Sequence, residues 1–276
     1  MKTIIATCDF SPVSVNAAWF AVDMAMAINA NILLFNAYHI PVAYTGEVPL
    51  VLLSLDDLRK ESESQLEDLK KEVISITSGK IEVKYEARMG ETVDKLEEIC
   101  KEVKPFAVVM GTKGKSGIEK ALFGSTTLTA IRHLTWPVIC VPPGKGYGKG
   151  FKKIGFACDF RQVSTTTPVN FIKEMVKTFS ADLHILNVDY RERHFNPGTP
   201  TELFYVHSLL DDVNPEYHFI DHPDVEDGIL EFARINNLDL IITIPKKHKL
   251  LEGIFKPSST KQLVFQTHIP LLCIHE

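Results

Sequence analysis

The stretch Phe106-Ala-Val-Val-Met-Gly-Thr-Lys-Gly114 joins an apolar run directly to two glycines, and Gly124-Ser-Thr-Thr127 follows with nine residues in between. The apolar run predicts a buried strand, and the Ser/Thr cluster predicts the start of a helix over 125–134. A strand, a glycine-containing loop and a helix N-terminus bring bare backbone N–H groups to one point, where they can bind an anion. The stretch therefore predicts a phosphate site.

Two alternatives to this interpretation arise from the same residues. Lys113 and Lys115 can supply charge to distal phosphates, but they also suit a solvated Gly-Lys turn before a surface helix. Three glycines beside a Ser/Thr cluster favour the phosphate site. A Walker A loop is excluded because that motif needs a glycine where this chain has Val109.

Composition is typical of a globular protein and excludes several classes of partner. The 276 residues are 45% hydrophobic and 24% charged, with a formal net charge of -5, so we expect no wholesale nucleic-acid binding. No apolar stretch reaches the roughly 18 residues of a membrane span, and the first residues do not resemble a signal peptide. We therefore expect a cytoplasmic protein without a membrane segment. The five cysteines are predicted to be reduced core thiols: Cys8, Cys100, Cys140, Cys158 and Cys273.

The chain repeats itself. Matching segments stand at the start, middle and end of each half: Lys2–Phe10 with Lys152–Phe160, Ala30–Asn36 with Ala181–Asn187, and Trp136–Val141 with Ile269–Ile274. We interpret this as a duplicated domain, with copies at 1–143 and 151–276. The glycines and prolines of 142–150 predict a short exposed connector.

Strand and helix patterns alternate within the first copy. Apolar runs near 2–7, 31–38, 81–87, 107–111 and 138–141 predict strands, and helical patterns stand near 13–28, 55–76, 92–103 and 125–134. This alternation predicts an α/β fold with a parallel sheet covered on both faces. Ligands of such sheets bind at the carboxyl ends of the strands, near the switch point in strand order.

Asp9 ends the first predicted strand, and two interpretations of it stay open. Its carboxylate can hydrogen-bond the amino edge or ribose of a nucleotide whose phosphates lie on the Gly111 loop. It can equally form an Asx-turn or cap at the helix start near Ser11 and Pro12, which needs no ligand.

With Asp9 after the first strand and Gly111-x2-Gly114-x9-Gly124-Ser125 after the fourth, the sequence resembles the universal stress protein family in its tandem, two-domain form. The resemblance covers nearly the whole chain. It implies two Rossmann-like domains of the adenine nucleotide alpha hydrolase type, each with a five-stranded parallel sheet. In one branch of the family it also implies binding of ATP with Mg²⁺.

Carried over by position, the resemblance implies a set of nucleotide contacts and no catalytic or metal-ligating residue. Lys113 and Lys115 stand where family members often carry His and Arg, and both can still meet phosphate oxygens. The full set is Thr7, Cys8 and Asp9 at the base and ribose, Ala37 at the adenine, Met110 and Gly111 along the pocket, Lys113 and Lys115 at the phosphates, and Gly114, Gly124, Ser125, Thr126 and Thr127 on the ribose and phosphates.

The second copy departs from this motif. Aligned from Pro270 backward, the glycines at 111, 114 and 124 are replaced by Ile244, Lys247 and Pro257, although Ser258, Ser259 and Thr260 remain. Bulky side chains and a proline without an N–H should close the phosphate cradle. We therefore expect one nucleotide per chain, and a structural role for Asp159.

Three functions compete at this stage. The first is an ATP-binding regulatory or stress-protective protein, and the second is a slow ATPase or nucleotidyl transferase that uses the same pocket. Phosphoryl transfer needs a positioned base, and the only acidic residue of the loop, Glu119, is better explained as solvated. The third is a metal or small-molecule site in the second copy, where His218 and His222 would stand about 13 Å apart along one strand, so capping or solvated histidines are favoured.

The terminal strands of the two copies predict association. Val138–Val141 and Leu271–Ile274 would be edge strands with unpaired backbone groups. In the family that the chain resembles, the corresponding strand mediates dimerisation. We therefore expect the two copies to pack as an internal pseudo-dimer, and a homodimer of whole chains stays possible.

Overall fold

The computed structural model describes residues 1–39, 42–45, 48–51, 54–112, 125–160, 163, 167–189, 199–244 and 269–275. In the first half of the chain, strands and helices alternate as the sequence predicts, and their bounds differ from the predicted ones by a few residues at most. They are β1 (Thr3–Thr7), α1 (Pro12–Ile28), β2 (Asn31–Tyr38), β3 (Val42–Thr45), β4 (Val48–Val51), α2 (Leu55–Thr77), β5 (Val83–Met89), α3 (Thr92–Val103), β6 (Ala107–Gly111), α4 (Ser125–His133) and β7 (Val138–Val141).

The second half repeats the alternation of strands and helices, with no counterpart of β3, β4 or α4 among its described residues. Its elements are β8 (Lys153–Ala157), α5 (Val169–Phe179), β9 (Asp182–Asp189), α6 (Thr199–Leu210), β10 (Glu216–Asp221), α7 (Val225–Ile235), β11 (Leu240–Thr243) and β12 (Leu271–Cys273). The antiparallel hairpin of β3 and β4 is absent from the sequence-based prediction.

One ten-stranded sheet runs through the molecule in the order β10-β9-β8-β11-β12-β7-β6-β1-β2-β5. Strands within each half pair in parallel, and β7 pairs with β12 antiparallel where the halves meet. Counted inwards from the two edges, the strands of the second half (β10-β9-β8-β11-β12) follow the same order as their counterparts in the first half (β5-β2-β1-β6-β7). The predicted α/β class with five parallel strands in each half is confirmed.

Helices cover both faces of the sheet because successive strand residues point to opposite sides. In β1, Ile4 packs with the core beneath α1 and α2, whereas Ile5 packs with the core beneath α3 and α4. Both isoleucines are fully buried. This explains why the strands read as continuous apolar runs rather than as alternating ones.

All five cysteines are buried, as predicted, and no disulfide joins any of them. Within the described part of the chain, no helix has both the length and the apolar character required to cross a bilayer.

The connector at 142–150 is less exposed than the sequence predicts. Tyr147 is only 9% exposed and packs edge-on against Phe20 of α1 and against Phe151, with ring centroids 5.3 Å apart in each case. Phe151 in turn contacts Phe179 of α5 at 4.9 Å. The prediction of an exposed connector was wrong at this residue, because its aromatic ring is buried in a cluster that links the two halves.

Burial of Tyr147 should make the protein less stable in alkali. Burial raises the pKa of Tyr147 to about 12, whereas a tyrosine in the unfolded chain has a pKa of about 10. Between these two pH values the unfolded chain loses the tyrosine proton more readily than the folded chain does. The free energy of unfolding therefore falls as the pH rises from about 10 towards 12. Phenylalanine has no proton to lose, so the free energy of unfolding of Tyr147→Phe should fall less between about pH 8 and 11 than that of the parent. Urea unfolding at both pH values measures the two differences. Equal losses would contradict this role.

Candidate functional site

Six of the predicted nucleotide residues lie at or next to the carboxyl ends of three adjacent strands. β1 lies between β2 and β6, and the chain leaves β1 towards β2 on one side and later returns to β6 on the other. The gap between β1 and β6 is therefore the topological switch point of this half, where open α/β sheets bind ligands. Thr7 ends β1 and is followed by Cys8 and Asp9, Ala37 lies near the end of β2, and Met110 and Gly111 end β6.

Asp9 forms the Asx-turn that the sequence left as one of two possibilities. Its Oδ1 accepts a hydrogen bond from the backbone N–H of Ser11 at 3.0 Å, and Ser11 then caps α1 by accepting from the N–H of Ser14. The Ser14 hydroxyl oxygen accepts from the backbone N–H of Asp9 at 3.2 Å. These bonds fix the Asp9 carboxylate at the rim of the switch point, so the turn and a nucleotide contact are compatible roles.

A buried side-chain network, which the sequence analysis did not identify, holds the end of β1. The Asn36 amide donates to the backbone carbonyl of Cys8 at 2.7 Å, and the Ser62 hydroxyl of α2 donates to Asn36 Oδ1 at 2.6 Å. In the second half Asn187 donates to the carbonyl of Cys158 at 2.8 Å in the same way. The repeat of this asparagine between the halves is the signal that could have revealed it.

Gly111 has a packing role that is separate from ligand binding. A Cβ atom there would lie 2.9 Å from the backbone carbonyl oxygen of Val13 in the first turn of α1. The missing side chain thus lets β6 approach α1 closely. The Thr127 hydroxyl donates to the Gly111 carbonyl at 2.8 Å, which ties α4 to the end of the strand.

Helix α4 begins at Ser125. Ser125 and Thr126 are exposed in its first turn, whereas Thr127 is buried. The first backbone N–H groups of a helix have no partner within the helix, and the macrodipole favours an anion near them. Four predicted contacts, Lys113, Gly114, Lys115 and Gly124, lie outside the described residues.

The second half has a different residue at the corresponding strand end. Ile241 pairs with Leu271 as Val108 pairs with Val138, so the alignment of Ile244 with Gly111 agrees with the strand register. Ile244 is buried and brings a branched side chain to a position that is bare in the first half. Lys247, Pro257, Ser258, Ser259 and Thr260 lie outside the described residues.

Comparisons with known proteins agree with this architecture. The sequence pattern of the universal stress protein family matches residues 1–142. A universal stress protein of Methanocaldococcus jannaschii is 27% identical over 146 residues, which cover 52% of this chain and 84% of that protein.

Two solved structures share the fold over the whole chain. A universal stress protein from Archaeoglobus fulgidus superimposes with a TM-score of 0.71 at 17% identity, covering 99% of this chain and 97% of the other. The cytoplasmic domain of a prokaryotic cation chloride cotransporter gives a TM-score of 0.56 at 10% identity, covering 99% and 94%. At these identities the likeness concerns the fold alone. Because the family pattern matches more than half of its residues, this chain belongs to the universal stress protein family.

Proposed function

We propose that the protein binds ATP in its first half and acts as a nucleotide-dependent regulatory or protective protein of the stress response. The observation that carries this proposal is the convergence of Asp9, Gly111 and the first turn of α4 at the switch point between β1 and β6. Family membership supports it. The Asp9 side would bind the base and ribose, and the α4 side would bind the phosphates.

Phosphate recognition in this proposal relies on backbone groups more than on side chains. The exposed hydroxyls of Ser125 and Thr126 stand beside the N–H groups of the first turn of α4, and such a helix terminus suits an anion. The chemistry of these donors fits a triphosphate, and Mg²⁺ would enter with it, bound through the phosphate oxygens. Lys113 and Lys115 would add positive charge to the same group.

The site is proposed to be single because the two halves differ at its centre. The three glycines of the predicted cradle are replaced in the second half by Ile244, Lys247 and Pro257. Bulky side chains and a proline without an N–H leave fewer backbone donors that a phosphate can reach. Isothermal titration of the purified chain with Mg-ATP is therefore expected to give a stoichiometry of one. Two equal sites per chain would contradict the assignment to the first half alone.

A second measurement identifies the natural nucleotide. The protein is denatured after purification, and the supernatant is analysed by mass spectrometry for ATP, ADP and AMP. We expect an adenine nucleotide in no more than equimolar amount. A different class of small molecule in that supernatant, together with no heat of binding for ATP, would overturn the proposed function.

The arrangement of the two halves is part of the same proposal. We infer that residues 1–143 and 151–276 are separate domains of one cytoplasmic chain, and that they form an intramolecular pseudo-dimer. The antiparallel pairing of β7 with β12 supports it, since Cys140 pairs with Leu271 and Val138 with Cys273 across the junction. Light scattering after gel filtration would tell whether whole chains dimerise as well.

A further inference from the structure

Two histidines and a glutamate converge in the second half, far from the switch point of the first. His184 Nδ1 lies 3.0 Å from His218 Nε2 and 3.4 Å from Glu216 Oε2. His218 Nε2 lies 3.7 Å from the same Glu216 oxygen. Because Glu216 pairs with His184 in the parallel ladder of β9 and β10, all three side chains leave the same face of the sheet. The name His-Glu-His cluster is used for these residues below.

The dimensions of the His-Glu-His cluster match those of a metal site. An ion bound at about 2.0–2.1 Å by tetrahedral ligands separates neighbouring ligand atoms by roughly 3.3 Å. The three separations given above lie on both sides of that value. An ion could therefore contact all three atoms with side-chain adjustments of a few tenths of an ångström and no change in strand register.

Burial of His184 adds a second reason. The residue is 6% exposed, and its other ring nitrogen, Nε2, is buried without a hydrogen-bond partner in the described part of the chain. The polar contacts of the ring are thus concentrated at Nδ1, and burying a polar ring costs free energy unless such contacts compensate. A cation at Nδ1 would provide a stronger contact than one hydrogen bond between two imidazoles.

The surroundings of the cluster are apolar on one side and open on the other. The His218 ring packs against Phe232 of α7 with centroids 4.6 Å apart, which restricts its orientation. The Glu216 side chain is 65% exposed and gives a hydrated ion a route from solvent. A site with one buried imidazole, one partly buried imidazole and one exposed carboxylate can exchange its metal and keep a further position for water.

The first half provides an internal comparison. Leu33 of β2 pairs with Lys84 of β5, as His184 of β9 pairs with Glu216 of β10. In the first half, Leu33 therefore takes the place of His184, and Lys84 takes the place of Glu216. Glu86 takes the place of His218. Leucine offers no ligand atom, and an ammonium group repels a cation. The duplication has thus produced a convergent ligand set in one half only.

We propose that His184, Glu216 and His218 bind a divalent transition-metal ion such as Zn²⁺ in the second half of the chain. Two imidazoles and one carboxylate suit Zn²⁺ and its neighbours in the first transition row, whereas Mg²⁺ and Ca²⁺ prefer oxygen ligands throughout. The residues lie towards the amino ends of β9 and β10. The metal site and the proposed ATP site therefore occupy opposite ends of their strands.

This site differs from the histidine arrangement that the sequence analysis considered. His218 and His222 were considered together along one strand, but His222 Nδ1 lies instead against the backbone of Asp224, 2.6 Å from its carbonyl oxygen and 3.1 Å from its nitrogen. The partner of His218 is His184 on the neighbouring strand, 34 residues away.

The test uses the full chain after removal of any purification tag and of bound metal by a chelator. Zn²⁺ is titrated in competition with a chromophoric chelator, and we expect one ion per chain. His184→Leu introduces the residue that the first half carries, and His218→Gln removes one ligand with little change in size. Each should weaken Zn²⁺ binding by at least about 100-fold, since changes to residues that only support metal ligands already cost up to that much.

Control measurements separate the cluster from other histidines and from the ATP site. His207→Gln changes an exposed histidine outside the cluster and should bind Zn²⁺ as the parent does, and His184→Leu should bind ATP as the parent does. Co²⁺ in place of Zn²⁺ should give the intense visible bands of a four-coordinate ion in the parent and in His207→Gln, but not in the two cluster variants. Unchanged Zn²⁺ affinity in both cluster variants, or a parent that binds no Zn²⁺, would overturn the proposal.

Discussion

Replacing Gly124 with valine should weaken ATP binding by at least about 100-fold and leave the fold intact. Gly124 directly precedes Ser125, the first described residue of α4, and is the last glycine of the predicted cradle. Valine at this position would block the approach of phosphate oxygens to the main chain. Hydrogen bonds to a charged group contribute about 1.5–3 kcal/mol each, so losing two of them lowers the affinity for ATP by at least about 100-fold.

Gly114→Val should have the same effect, because it places a side chain on the other side of the predicted cradle. The matched control is Gly146→Val in the connector, where a Cβ atom would meet nothing within 4 Å. Isothermal titration measures the affinity, and far-ultraviolet circular dichroism checks the fold. ATP binding at parental affinity in both loop variants would show that the nucleotide is not held by this glycine motif.

Phe20→Ala should destabilise the protein by about 3–5 kcal/mol, the usual cost of removing a large buried aromatic ring. Phe20 is 1% exposed, and its ring contacts Tyr147 of the connector and Phe151 before β8. Removing it leaves a cavity between α1 and the aromatic cluster that joins the two halves. Since whole proteins are stable by only about 5–15 kcal/mol, the loss should be plain in urea unfolding.

Phe204→Ala is the control for this change. Phe204 lies on α6 and is 68% exposed, so its removal should alter stability by no more than about 0.5 kcal/mol. The comparison requires that the free energy of unfolding fall with urea concentration at the same slope in both variants. A loss below about 1 kcal/mol for Phe20→Ala would mean that the aromatic cluster does not form in solution.

Much of the candidate site could be predicted from the sequence, but the contacts that hold its residues in place could not. The glycine motif, the Ser/Thr cluster and the Asp9 position could be found because they follow one another closely along the chain or end a recognisable strand. The network of Ser62, Asn36 and Cys8 could not, because its members come from three different elements. The packing of Gly111 against Val13 is likewise a contact between residues far apart in sequence.

The sequence by itself determined the strands and helices of the first half, the duplication and the loss of the glycine motif from the second half. Hydrophobic periodicity and glycine placement act over a few residues, so short stretches of sequence are enough to predict them. Only the tertiary structure decided the strand order, the antiparallel junction of β7 with β12, the burial of Tyr147 and the meeting of His184 with His218. Each of these depends on the register and packing of segments that are distant in the chain. Periodicity determines which face of a strand is buried, but not which strand lies beside it.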